Sequence, residues 1–214
     1  MWHNIAYFII GISLFFVLPK LTDKAEKLNI YSGKRNLFGL VSLGFILIGL
    51  NCFNLPDGAN IALLISYAFE YTAACMDQAY KEVYVFLHIC AFVPLFILYV
   101  ATPIPLYVWG AALLFAALAF GFSLFYGLSD SFAFAVQGMI TTFVLYNNNS
   151  SANIYYLLLY ELVGMFITYS IFFAVQLLKR NVNRKGNCKE PKAFIPYIYS
   201  VDVLILFVVK YVKL

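Results

Sequence analysis

Glu70, His88, Glu161 and Asp202 stand where ionisable groups are least expected, inside long apolar runs, and Gln137 is a fifth polar side chain so placed. At the centre of a bilayer an ionised side chain costs roughly 2.5–3.5 kcal/mol. Such groups are therefore paired, in contact with water, or part of a site. A carboxylate beside an imidazole can hold, pass or take a proton. That chemistry suits general acid–base attack on a lipid, or a pathway that couples a proton to a solute. Glu70 and Asp202 are the candidate acid and base, His88 their candidate assistant, and Gln137, Tyr199 and Glu161 the candidate substrate contacts.

The residues around them fix what must carry them. The chain has 214 residues, 64% of them hydrophobic and 11% charged. A soluble domain carries roughly 25% charged residues, so lipid has to supply the missing solvent. A bilayer core of roughly 30 Å takes about 20 apolar residues per helix. Runs near 3–19, 37–54, 59–76, 83–101, 105–127, 131–146, 153–178 and 194–212 meet that need as one transmembrane domain. They do not alternate as barrel strands would, and lipid leaves no partner for free backbone groups. The expected fold is all-α, a polytopic bundle of about eight spans.

Turn residues separate the runs: Leu55-Pro56-Asp57-Gly58, Thr102-Pro103-Ile104-Pro105, Gly127-Leu128-Ser129-Asp130, and Asn147 onward through Ser151. Ser129 or Asp130 is the expected N-cap of the sixth helix. The first run lacks a basic leader and a small-residue cleavage site, and reads as a retained helix. Asn148 and Asn149 each begin an N-x-S pattern.

Orientation follows the cations. Of the 14 Lys and Arg residues, 12 lie in odd-numbered connections, including Lys20, Lys24, Lys81, Lys179 and Arg180. The positive-inside rule puts those connections in the cytosol and both termini on the extracytoplasmic side. Lys210 and Lys213 oppose this mildly. Asp202 then lies about 12 Å from its cytosolic helix start and His88 about 8 Å, at 1.5 Å per residue. Glu70 and Gln137 fall in the same half, so four helices present polar groups to one layer. Glu161 falls nearer the outer side.

Small residues mark close helix contacts. Ala112 with Ala116, and Ala117 with Gly121, make the fifth helix the expected centre of the bundle, and Gly39, Gly44 and Gly49 line the second. Asp77, Lys81, Glu82 and Asp130 are expected to cap or solvate helix ends, and Tyr197 and Tyr199 to join an interfacial belt. Cys52, Cys75, Cys90 and Cys188 show no metal or disulfide spacing. No phosphate-loop, dinucleotide, zincin or nucleophile-elbow motif appears. No cofactor, metal or nucleic acid is implied. The expected partners are membrane lipids, with a homo-oligomer or membrane complex left open.

Three stretches resemble the YhhN family of small eight-helix membrane proteins, which includes lysoplasmalogenases. Ser66-Tyr67-Ala68-Phe69-Glu70 is similar to the family's S-x-x-G-D, with Phe69 and Glu70 in place of its Gly and Asp. Phe86-Leu87-His88-Ile89-Cys90-Ala91-Phe92, continuing to Tyr99, resembles its F-L…A-F…Y stretch. Tyr199-Ser200-Val201-Asp202-Val203-Leu204-Ile205 resembles its Y-x-x-Q-x-L-I. The resemblance implies hydrolysis of the vinyl ether of lysoplasmalogens by acidic residues. The family's later S-D pair has no counterpart, since Ser170 precedes Ile171. The residues by themselves allow three functions: a lipid hydrolase, a small-solute or proton-linked carrier, and a non-catalytic membrane subunit.

Overall fold

A computed structural model describes residues 2–26, 33–53, 55–121, 127–148, 152–182 and 193–211. Asn149, Ser150, Ser151, Cys188 and most of the basic seventh connection lie outside them. The described residues form eight helices and no strand: α1 (Trp2–Glu26), α2 (Gly33–Phe53), α3 (Asp57–Tyr80), α4 (Val85–Ala101), α5 (Leu106–Gly121), α6 (Leu128–Asn148), α7 (Ile154–Val182) and α8 (Ile195–Tyr211). Segments Ile5–Lys24, Asp57–Tyr80, Leu128–Asn148 and Ile154–Leu178 are long and apolar enough to cross a membrane. In the other four helices the apolar segments are shorter: Arg35–Asn51, Val85–Ala101, Leu106–Gly121 and Ile195–Leu206. Large side chains such as Phe8, Ile9, Phe86, Leu106, Tyr155 and Phe166 face outward from the bundle, as lipid-facing groups do.

The centre is α3 and α6, not α5. In each of α3 and α6, 78% of the spanning window is buried, against 22% in α1 and 17% in α7. Their alanines, among them Ala68, Ala73, Ala74 and Ala133, let neighbouring backbones come close. On α5 the buried stripe is Val108, Ala111, Ala112, Phe115 and Ala119, whereas Ala117 and Gly121 face outward. One of the two small-residue rows thus lies on the outer side, and α5 packs as a flanking helix against α6 and α7.

Two glycines permit contacts that a methyl group would block. A Cβ on Gly39 would sit 2.6 Å from the Tyr71 hydroxyl, and one on Gly138 would sit 2.4 Å from the Phe115 ring. Gly44 has nothing within 4 Å and marks no contact. Helix α1 also runs seven residues past Pro19, where the sequence pattern ended it. A proline removes one backbone donor and strains the preceding turn, but it need not end a helix in an apolar setting.

Candidate functional site

Two buried hydroxyl groups bind α3, α4 and α6 together. Ser66 on α3 donates to the Ala91 carbonyl of α4 at 2.8 Å, and Tyr99 on α4 donates to the Met139 carbonyl of α6 at 2.8 Å. Both are fully buried. The three helices so held carry Glu70, His88 and Ser129.

These three side chains form a line. His88 Nδ1 lies 2.8 Å from Glu70 Oε1, and His88 Nε2 lies 2.9 Å from Ser129 Oγ. A carboxylate only accepts, so with Glu70 ionised the Nδ1–H donates to it and Nε2 accepts the Ser129 hydroxyl. His88 has no exposed surface and Glu70 almost none, whereas Ser129 is half-buried. Ser129 is thus the outward end of the line. Asp77 and Asp130 lie within electrostatic reach of His88.

The sixth helix begins three residues earlier than the pattern placed it, at Leu128. Gly127, at φ +121°, makes the bend before it, a conformation that suits glycine because it lacks Cβ. Ser129 is therefore inside the first turn and is not an N-cap. Ser131 serves that end, donating to the Gly127 carbonyl and to the Ala119 carbonyl of α5. Asp77 does act at a helix end, as expected: its Oδ2 accepts from the Phe194 and Ile195 N–H groups, 2.6 and 2.9 Å away, and so caps α8.

That cap fixes α8 so that Asp202 enters the core, within electrostatic reach of Glu70. Thr141 on α6 donates to Asp202 Oδ1 at a long 3.5 Å. The Tyr67 hydroxyl lies near Asp202 without reaching hydrogen-bond geometry, and it and the Tyr199 hydroxyl are buried without partners. Tyr199 is a correction: it is a core residue, its ring 5.8 to 6.3 Å from those of Phe38, Tyr67 and Tyr71, and belongs to no interfacial belt. Tyr197 packs instead on Phe172.

Gln137 and Glu161 both lie at the crossing of α6 and α7. Glu161 Oε2 would stand 3.3 Å from a Cβ on Gly138, and Gln137 Nε2 3.6 Å from one on Gly164. Gln137 Oε1 and both Glu161 oxygens are buried and have no hydrogen-bond partner among the described residues. Unpaired buried polar atoms are rare enough to call for a water, a proton or a ligand. Glu161 shares no hydrogen bond with the Glu70 line. Among the described residues no three His, Cys, Asp or Glu side chains are placed to hold a metal ion.

The structure thus joins Glu70 with His88, brings Asp202 near, and leaves Glu161 apart. Sequence reasoning missed Ser129, Tyr67 and Thr141 as members. Tyr67 precedes Glu70 by three residues and Thr141 follows Gln137 by four, so helical spacing put both on the same faces as known candidates. Ser129 gave no such signal, being 41 residues from His88. Compared with known protein families, characterised proteins and solved structures, the chain matches none.

Proposed function

We propose that this chain is a membrane-embedded hydrolase acting on a lipid, with His88 as its proton-transfer group. The single observation that carries this is the Glu70–His88 pair, at 2.8 Å, buried in an apolar bundle with the half-buried Ser129 hydroxyl on its Nε2 side. A buried imidazole held by a carboxylate keeps one tautomer and one orientation, as a general base requires. The proton-transfer role therefore falls on His88, with Glu70 as its positioning residue and Asp202 buried nearby. The candidate substrates are lysolipids, cleaved at an ester or a vinyl ether. The resemblance to the YhhN family supports the lipid class alone.

The test is the purified full chain in mixed micelles with ester-linked and vinyl-ether lysolipids, following release of fatty acid and aldehyde. Replacing Glu70 by Gln or His88 by Gln should slow turnover by at least about 100-fold. Unchanged turnover in both would sink the reading. A second reading, a proton-linked carrier, is favoured by Glu161, a buried acid at the crossing of α6 and α7 with no hydrogen-bond partner among the described residues. It predicts solute uptake into proteoliposomes that a pH gradient drives and Glu161→Gln abolishes, with no lipid product.

A further inference from the structure

The Glu70–His88 pair needs something to act on, and the structure offers one atom. His88 is wholly enclosed, and the contact of its Nε2 is Ser129 Oγ at 2.9 Å. A proton reaching Nε2 must therefore come from that hydroxyl. We propose that Ser129 is a nucleophile and that Ser129, His88 and Glu70 form an acyl-transfer triad on a carboxylic ester of a lipid. The proposal rests on the lipid-hydrolase reading and narrows the bond: an ester carbonyl can acylate a serine, and a vinyl ether has none.

Three features of the fold agree with the assignment. The order of contacts, hydroxyl to Nε2 and carboxylate to Nδ1, is the one that lets an imidazole deprotonate a serine while an acid stabilises the resulting imidazolium. Ser129 is half-buried while its two partners are enclosed, so a substrate meets the hydroxyl first. Ser129 also lies in the first turn of α6, where Ser131 N donates to the carbonyl of Gly127 just outside the helix. The N–H groups of the first turn lack intrahelical acceptors and carry the positive end of the helix dipole. An oxyanion formed on a substrate carbonyl at Ser129 would lie beside them.

The reaction balances without a co-reactant other than water. Ser129 Oγ bonds to the ester carbonyl carbon as its proton passes to His88 Nε2. The tetrahedral adduct collapses, the C–O bond to the alcohol breaks, and His88 returns the proton to the leaving oxygen. Water then attacks the acyl-serine, giving its proton to His88, and the carboxylic acid leaves as Ser129 recovers its hydrogen.

A fluorophosphonate probe, applied to the folded full chain in detergent and followed by peptide mapping, tests this. The label should fall on Ser129, disappear in Ser129→Ala, and form at least about 100 times more slowly in His88→Gln. Ser131→Ala, two residues away and turned toward α5, should still be labelled. Fatty-acid release from an ester lysolipid should fall to background in Ser129→Ala, with its melting temperature near that of the unaltered chain. Ester turnover that survives Ser129→Ala would overturn the nucleophile and leave the lipid reading standing. Labelling at Ser129 without turnover of any lysolipid would uphold the nucleophile and remove the lipid. Folded chain that takes no label at Ser129 would overturn the proposal.

Discussion

Ser129 and Ser131 are of one type, two residues apart, and have opposite surroundings. Two steps along a helix turn a side chain by about 200° at 3.6 residues per turn, so one hydroxyl meets the imidazole of α4 and the other the carbonyl of Ala119 on α5. Composition cannot tell them apart. Glu161 shows the reverse case, a residue the sequence singles out but the fold leaves alone. Its two oxygens are buried without partners, and burying an unpaired acid costs stability. If it has no ligand to bind, Glu161→Gln should raise the melting temperature of the detergent-solubilised chain by a few degrees, on the order of 1–2 kcal/mol. A fall instead would show that the acid is paired in the native protein, by a water or by a bound solute.

Helices α3, α4 and α6 bring the candidate site together, and their spacing depends on small residues. Gly138 lets α6 approach Phe115 of α5 so closely that a methyl group would stand 2.4 Å from the ring. Gly138→Ala must push α5 and α6 apart or turn the ring, at a cost of about 1–3 kcal/mol. The open position Gly44 is the control: Gly44→Ala adds no clash and gains up to about 1 kcal/mol of helix propensity. Thermal melts of the two variants should therefore move in opposite directions. The ends of elements matter equally. Asp77 holds the N–H groups at the start of α8, and α8 carries Asp202, so Asp77→Ala should cost about 1 kcal/mol and loosen the packing around Asp202.

At the scale of the whole molecule, 12 of the 14 Lys and Arg residues of the sequence fall in odd-numbered connections, and Lys81 stands in the third. Lys81 closes α3 there, exposed and left-handed, while Asn153 precedes α7 at the end of an even-numbered connection. The positive-inside rule assigns these two ends to opposite faces of the membrane. In a chain freed of its own cysteines, Lys81→Cys should react with an impermeant maleimide only from the cytosolic side and Asn153→Cys only from the other. Labelling of both from one side would discard the assigned orientation. The first turns of α4 and α6, and hence Ser129, lie at the Lys81 end, so the same labelling decides from which leaflet a lipid would reach the proposed nucleophile.

The apolar runs determined by themselves that the chain is a helical bundle with spans enough for a membrane, because lipid forbids unpaired backbone and each helix satisfies its own. They also marked Glu70, His88 and Asp202, because charge in an apolar run is costly wherever the run lies. What the tertiary structure alone decided is who meets whom. Helix spacing ties residues three or four apart and says nothing of rotation between helices, so the placing of α3 and α6 at the centre could not be read from small-residue rows. Nor could Tyr199 be told from an interfacial tyrosine, or Ser129 from a helix cap. Those assignments depend on the angle at which each helix faces its neighbours, and that angle is set by packing the whole bundle at once.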